Sequence, residues 1–362
     1  MFTPTTKLFK TQRDLSGKKS ILLDLVRFSA ALTVFITHAF AVWFPQSEFQ
    51  SFPSNISHGA VVVFFVLSGF VIAHTTTKNR RNLREYASAR LSRLYSIYLP
   101  ALVITVICWV MLRSINFRTF QLYCQPNLTL RYLVSLFYCN ELWFLSSAPI
   151  FNGPIWSLSY EFWYYIIFGA FFYKTPGKKG YVIPFVICLI AGPKILLMML
   201  MWILGWFAYH IPNINVNNAI RWVIIIILIS VSFVLMIYLP SWPNHINTTH
   251  LHWADKFLTD WIVSVFVAIA VYLLPRNSEM SSAPSIIVLV FRKLGDLTFP
   301  IYVLHFPLLI VIKEVISKFN MARGQSLLGI IMAFAACSFL GFFLDSYRNN
   351  WNRLFKKLVN IF

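Results

Sequence analysis

Apolar runs of helical length, separated by short polar or basic stretches, follow one another along almost the whole chain. They lie near residues 21–44, 57–77, 94–112, 155–173, 181–192, 195–210, 221–240, 257–275, 294–315 and 325–345. A helix needs about 20 apolar residues to cross a hydrocarbon core of ~30 Å, so the pattern predicts an all-α polytopic membrane protein with about ten transmembrane helices. The fifth window is short and ends at Gly192-Pro193. The stretch 128–148 is apolar but broken by Arg131, Asn140 and Glu141, which makes it an interfacial or re-entrant piece of the loop between the third and fourth windows.

Composition agrees with this reading: 58% of the 362 residues are hydrophobic and only 12% are charged. The net charge of +19 comes without a nucleic-acid-binding motif and is explained by loop topology, because cytoplasmic loops collect Lys and Arg. Basic residues concentrate in 1–20, 78–93, 174–180, 276–293 and beyond 345, which puts both termini in the cytosol. The expected organisation is a basic N-terminal segment (1–20), one membrane domain (21–345) and a basic C-terminal tail (346–362). The first apolar helix is too long and too charged for a cleaved signal peptide. Cys124 and Cys139 fall in the outer loop 113–154, either paired or as free thiols. Asn-x-Ser/Thr tripeptides at Asn55, Asn127 and Asn247 also fall in outer loops. No metal-ligating cluster and no bound cofactor are expected.

An ionisable residue inside a span costs some 2.5–3.5 kcal/mol on insertion scales, so each one is a candidate for function. In the first window Asp24 and Arg27 are neighbours at i, i+3, and His38, eleven residues beyond Arg27, returns to the same face. Asp24 and Arg27 alone would also suit an interfacial ion pair. "NGPIWSLSYEFWYY" opens the fourth window: Gly153-Pro154 marks the helix start, and Ser157 and Glu161 share a face. Counted from that start, Glu161 lies at the depth of His38. "GDLTFPIYVLHFPL" places His305 near the midplane with Tyr302 one turn away. In the basic segment 78–100, Arg80, Arg81 and Arg84 suit lipid headgroups, whereas Arg90 and Arg93 suit the phosphates of a nucleotide-like ligand. A proton-coupled transporter would also use midplane His and carboxylate groups, but no internal duplication accompanies them.

Several of these blocks resemble the acyltransferase-3 family of integral membrane O-acyltransferases. The resemblance is carried by Arg27 and His38 in an Arg-x10-His arrangement after Asp24, by "FFVLSGF" (64–70), "RLSRLY" (90–95), "WSLSYEF" (156–162) and "IYVLHFPL" (301–308). The chain departs from it at Phe162, where many members carry a second acid after Glu161, and it is similar to the stand-alone form without an SGNH-type domain. The resemblance implies transfer of an acyl group, usually acetyl, from cytosolic acyl-CoA to a hydroxyl of a carbohydrate or glycoconjugate at the outer face. Lipopolysaccharide and exopolysaccharide are among the candidate acceptors, and the implied location is a bacterial inner membrane. The implied catalytic set is His38, as general base or acyl carrier, with Glu161, Arg27 and Asp24. Arg90, Arg93 and Arg27 would bind acyl-CoA, and Trp156, Ser157, Tyr302 and His305 would supply substrate-binding or structural polar groups. Phe64, Phe65 and Phe70 would suit a short acyl group.

Overall fold

The computed structural model describes residues 18–44, 51–79, 81–214, 216–243, 249–274, 285–318 and 325–359. The described residues contain thirteen α-helices and no strand. α1 (Lys18–Trp43), α2 (Ser51–Asn79) and α3 (Leu83–Ile115) cover the first three windows. α4 (Phe117–Leu122), α5 (Leu128–Leu136), α6 (Trp156–Phe172) and α7 (Val182–Ala191) precede α8 (Pro193–His210), α9 (Asn218–Tyr238) and α10 (Phe257–Leu273). α11 (Ser285–Lys318), α12 (Gln325–Ser346) and α13 (Arg348–Val359) complete the bundle. Among the described residues, eight helical stretches are long and apolar enough to cross a membrane: α1, α2, α3, α8, α9, α10 together with the turn that leads into it from His250, α11 and α12.

Two of the ten expected windows fall short of that length. α6 has 17 residues and α7 ten, about 25 and 15 Å at 1.5 Å per residue. α7 ends because Gly192 adopts φ +82° against the Trp143 backbone, and Pro193 then starts α8. Even so, segment 173–192 joins opposite ends of the bundle. The Tyr173 hydroxyl donates to the Arg81 carbonyl, before α3 (2.9 Å), whereas Gly192 packs at the other end.

We call the end where α1 starts the first face and the end where it finishes the second. α11 runs parallel to α1: Gly295 abuts Asp24 near the first face, and Lys313 donates to the Val42 carbonyl near the second (2.7 Å). α2 and α8 touch backbone to backbone, since a Cβ at Gly69 would lie 1.9 Å from the Trp202 carbonyl oxygen and one at Gly205 1.9 Å from that of Val66. Small residues give membrane helices this close approach. α9 turns a row of isoleucines outward, including Ile220, Ile226, Ile227 and Ile229, as a lipid-facing helix must. The C-terminal segment, expected as a tail, forms α13, which lies against α3 through Tyr95 and Phe355. Residues 1–17, Asn247 and 360–362 lie outside the described residues. Asn55 sits within α2 rather than in a loop, and Cys124 and Cys139 are free thiols.

The stretch between α5 and α6 is re-entrant. Irregular backbone at membrane depth survives only where protein satisfies its polar groups. Here Ser159 Oγ and Trp163 Nε1 both donate to the Tyr138 carbonyl (2.6 and 3.0 Å), and Tyr98 donates to the carbonyl of Ser135 (2.9 Å). Lys194 Nζ reaches Glu141 (2.8 Å) and the Leu145 carbonyl (2.6 Å), with both charged side chains fully buried. Removing one member of a buried pair leaves an uncompensated charge, at a cost of about 3–5 kcal/mol. Lys194→Met is therefore expected to lower the yield and thermal midpoint of detergent-purified protein sharply, and adding Glu141→Gln to restore most of the loss.

Candidate active site

Two cavities enter the bundle from opposite faces. The first, of ≈ 150 Å³, has Asp296, Asp345 and Arg348 at its mouth and Asp24, Arg27, Arg93, Ser68 and Glu161 farther in, with Phe64 and Phe65 in its wall. The second, of ≈ 690 Å³, is lined by His38, Thr37, His58, Trp156, Trp253, Asp255 and Lys256. Val61 and Tyr302 line both. They form the partition.

Hydrogen bonds hold that partition in place. Tyr302 Oη donates to the Pro154 carbonyl (2.7 Å), which uses its single proton, so the 2.6 Å contact with Ser157 Oγ is a bond from serine to tyrosine. The same proton counting fixes the histidines. His305, fully buried, places Nδ1 2.7 Å from the Tyr302 carbonyl, which only accepts, so Nδ1 carries the proton and neutral Nε2 is an acceptor. His38 Nδ1 lies 2.9 Å from that Nε2 and must donate to it. The lone pair of His38 Nε2 is left uncommitted, on a side chain that lines the second cavity.

α1 divides its ionisable residues by depth. Arg27, 3.8 Å from Asp24, lines the first cavity with it, and His38 lines the second. Glu161 does not meet His38, contrary to the depth counted from the helix start. It faces the first cavity, where it accepts from Ser68 Oγ (3.0 Å) and from the Tyr165 hydroxyl. The count fails because α6 begins inside the bundle: Asn152 Nδ2, just before it, is buried and bonded to the Val303 carbonyl (3.0 Å) and to Thr105 Oγ1 (3.2 Å). The two α3 arginines also separate. Arg93 lines the first cavity, whereas Arg90 is buried over the rings of Tyr86 and Tyr165 and bonded to Thr75 Oγ1 (3.4 Å). Phe70 packs on Tyr209 away from both cavities.

The sequence reading missed much of the second cavity. His58 pairs with Asp260 (Nε2 to Oδ2, 2.8 Å), and Trp253, Asp255 and Lys256 come from the segment before α10. Asp260 carried a usable signal, as a carboxylate inside the window 257–275. Trp253 and Asp255 carried none, being polar-loop residues by pattern.

The partition makes each cavity reachable from one face. In a cysteine-free background, Thr298→Cys is expected to react with a membrane-impermeant maleimide added at the first face only, and Thr37→Cys only at the second. Labelling of both from one side would contradict the closed partition.

Beside this geometry stands one comparison. A family described as an acyltransferase domain matches residues 21–344. No curated protein and no solved structure was found to match the chain.

Proposed function

The chain belongs to that acyltransferase-domain family, and from this premise we propose that it moves an acyl group across the partition, from acyl-CoA in the first cavity to a hydroxyl in the second. It is an integral, multi-pass membrane acyltransferase. The proposal adds the donor, the acceptor side and the residue roles. Its main support is that two cavities from opposite faces share Val61 and Tyr302, with an imidazole lone pair on one side of them and arginines on the other.

The first face is taken as cytosolic because it carries the basic segments that membrane topology places there. The donor is acyl-CoA, with acetyl as the acyl group, and its phosphates meet Arg93, Arg27 and Arg348. A guanidinium binds phosphate oxygens in a two-point fork, which suits this role. Phe64 and Phe65 leave the ≈ 150 Å³ cavity room for a slender thioester arm and a short acyl chain. Glu161, tied to Ser68 and Tyr165, shapes the donor end rather than orienting His38. Arg90, packed on Tyr165, supports that cluster from behind.

The acceptor, a carbohydrate or glycoconjugate hydroxyl, lies in the second cavity against His38. Once Val61 and Tyr302 move aside so that the two cavities join, Nε2 takes the hydroxyl proton as the oxygen attacks the thioester carbonyl, and the tetrahedral intermediate collapses with cleavage of the carbon–sulfur bond. The departing thiolate takes the proton back from His38, so an ester and free CoA leave and the imidazole is regenerated. His305 fixes the tautomer that makes Nε2 the base. The setting in which such a reaction modifies surface glycans is a bacterial inner membrane.

A positioned base contributes about 10²- to 10⁴-fold, so His38→Ala is expected to lose that much transfer from labelled acetyl-CoA to the glycan fraction of membranes. Wild-type transfer by this variant would remove His38 from the reaction. In single-turnover experiments without acceptor, the direct route predicts no label retained on the protein. Label trapped on His38 would replace it with an acyl-histidine route.

A further inference from the structure

The second cavity holds two further imidazoles, His58 and His252, that this chemistry does not use. His58 lines it from the start of α2, with Nε2 2.8 Å from Asp260 Oδ2 of α10 and side chains only 9% and 5% exposed. A carboxylate accepts, so Nε2 donates, and Nδ1 is the ring nitrogen left to bond an O–H group. Asp260 fixes the tautomer of His58 as His305 fixes that of His38, by a different partner.

His58 also ends a stack of aromatic rings. It lies on Trp156 at 5.6 Å and 18°, and Trp156 lies on Trp253 at 5.0 Å and 3°. Trp253 is 38% exposed and lines the same cavity. Lys256, also in its wall, donates to Asn55 Oδ1 (3.3 Å), which adds polar groups beside the stack. At ≈ 690 Å³ the cavity has the size of a small-molecule site of some 300–1,000 Å³, far more than one reacting hydroxyl needs.

From this arrangement we propose that His58, held by Asp260 and flanked by Trp253, is the acceptor-recognition arm of the second cavity: it binds a hydroxyl other than the one acylated, on a polyhydroxylated ring whose apolar face lies on Trp253. The inference rests on the acyl-transfer reading and adds a requirement to it. An acceptor must offer two hydroxyls at once, one to His38 and one to His58. Asp260 is a positioning residue, acting through His58.

The test uses purified full-length protein in nanodiscs, labelled acetyl-CoA, and surface glycan extracted from cells lacking the gene as acceptor. His58→Gln is expected to raise the half-saturating amount of glycan about tenfold, the loss of one hydrogen bond to a polar partner. The maximal rate and the half-saturating acetyl-CoA concentration should stay near wild type. Asp260→Asn and Trp253→Ala should move the glycan value in the same direction. A variant that merely loosened the fold would move the donor value and the maximal rate as well, and that result would overturn the assignment. So would an unchanged glycan value in His58→Gln. Failure of wild-type protein to acylate the extract would instead overturn the acceptor reading and this inference with it, whereas loss of transfer in His38→Ala beside an unchanged glycan value in His58→Gln would keep that reading and overturn only the role of His58.

Discussion

The hydrogen bond from His38 Nδ1 to His305 Nε2 (2.9 Å) is the contact on which the site depends. It joins α1 to α11, whose parallel course is set at one end by Gly295 against Asp24 and at the other by Lys313 on the Val42 carbonyl. Because His305 spends its own proton on the backbone of Tyr302, the direction of the bond is forced. A neutral, fully buried imidazole thereby selects the tautomer of a partly accessible one. Tyr302, whose carbonyl takes that proton, also carries the hydroxyl that closes the partition, so the base and the wall between the cavities belong to one hydrogen-bonded unit.

The re-entrant segment before α6 is the second determinant. Hydrocarbon offers no partners to irregular backbone, so this segment exists only because α3, α6 and α8 supply donors and a buried Lys194–Glu141 pair pins it. It lowers the start of α6 into the bundle. That displacement puts Glu161 on the first cavity with Arg27 and Arg93, while Ser157 and Trp156, at the start of the same helix, reach the partition and the second cavity. One helix therefore serves both half-sites.

Much of this was legible in the sequence. Hydrophobic length gave the long helices, the interruption by Arg131, Asn140 and Glu141 marked the re-entrant piece, and the cost of burying charge singled out Arg27, His38, Glu161 and His305. Local spacing placed Arg27 and His38 on one face, because both belong to a single unbroken helix. Depth between helices was not legible, since it depends on where each helix starts, and Asn152 fixes the start of α6 through tertiary bonds. The short α6 and α7 were foreshadowed by the windows 155–173 and 181–192, whereas the split between Arg90 and Arg93 escaped, because it turns on side-chain packing rather than on spacing. The His58–Asp260 pair joins residues 202 positions apart, beyond the reach of any local pattern.

The central claim is that the acyl group passes from the first face to the second. It is tested most directly in sealed vesicles that expose the first face outward, with labelled acetyl-CoA outside and the unacylated glycan loaded within. Labelled glycan in the lumen, with none formed when the same glycan is supplied outside, is the predicted result. Labelling of external glycan by intact vesicles would contradict it.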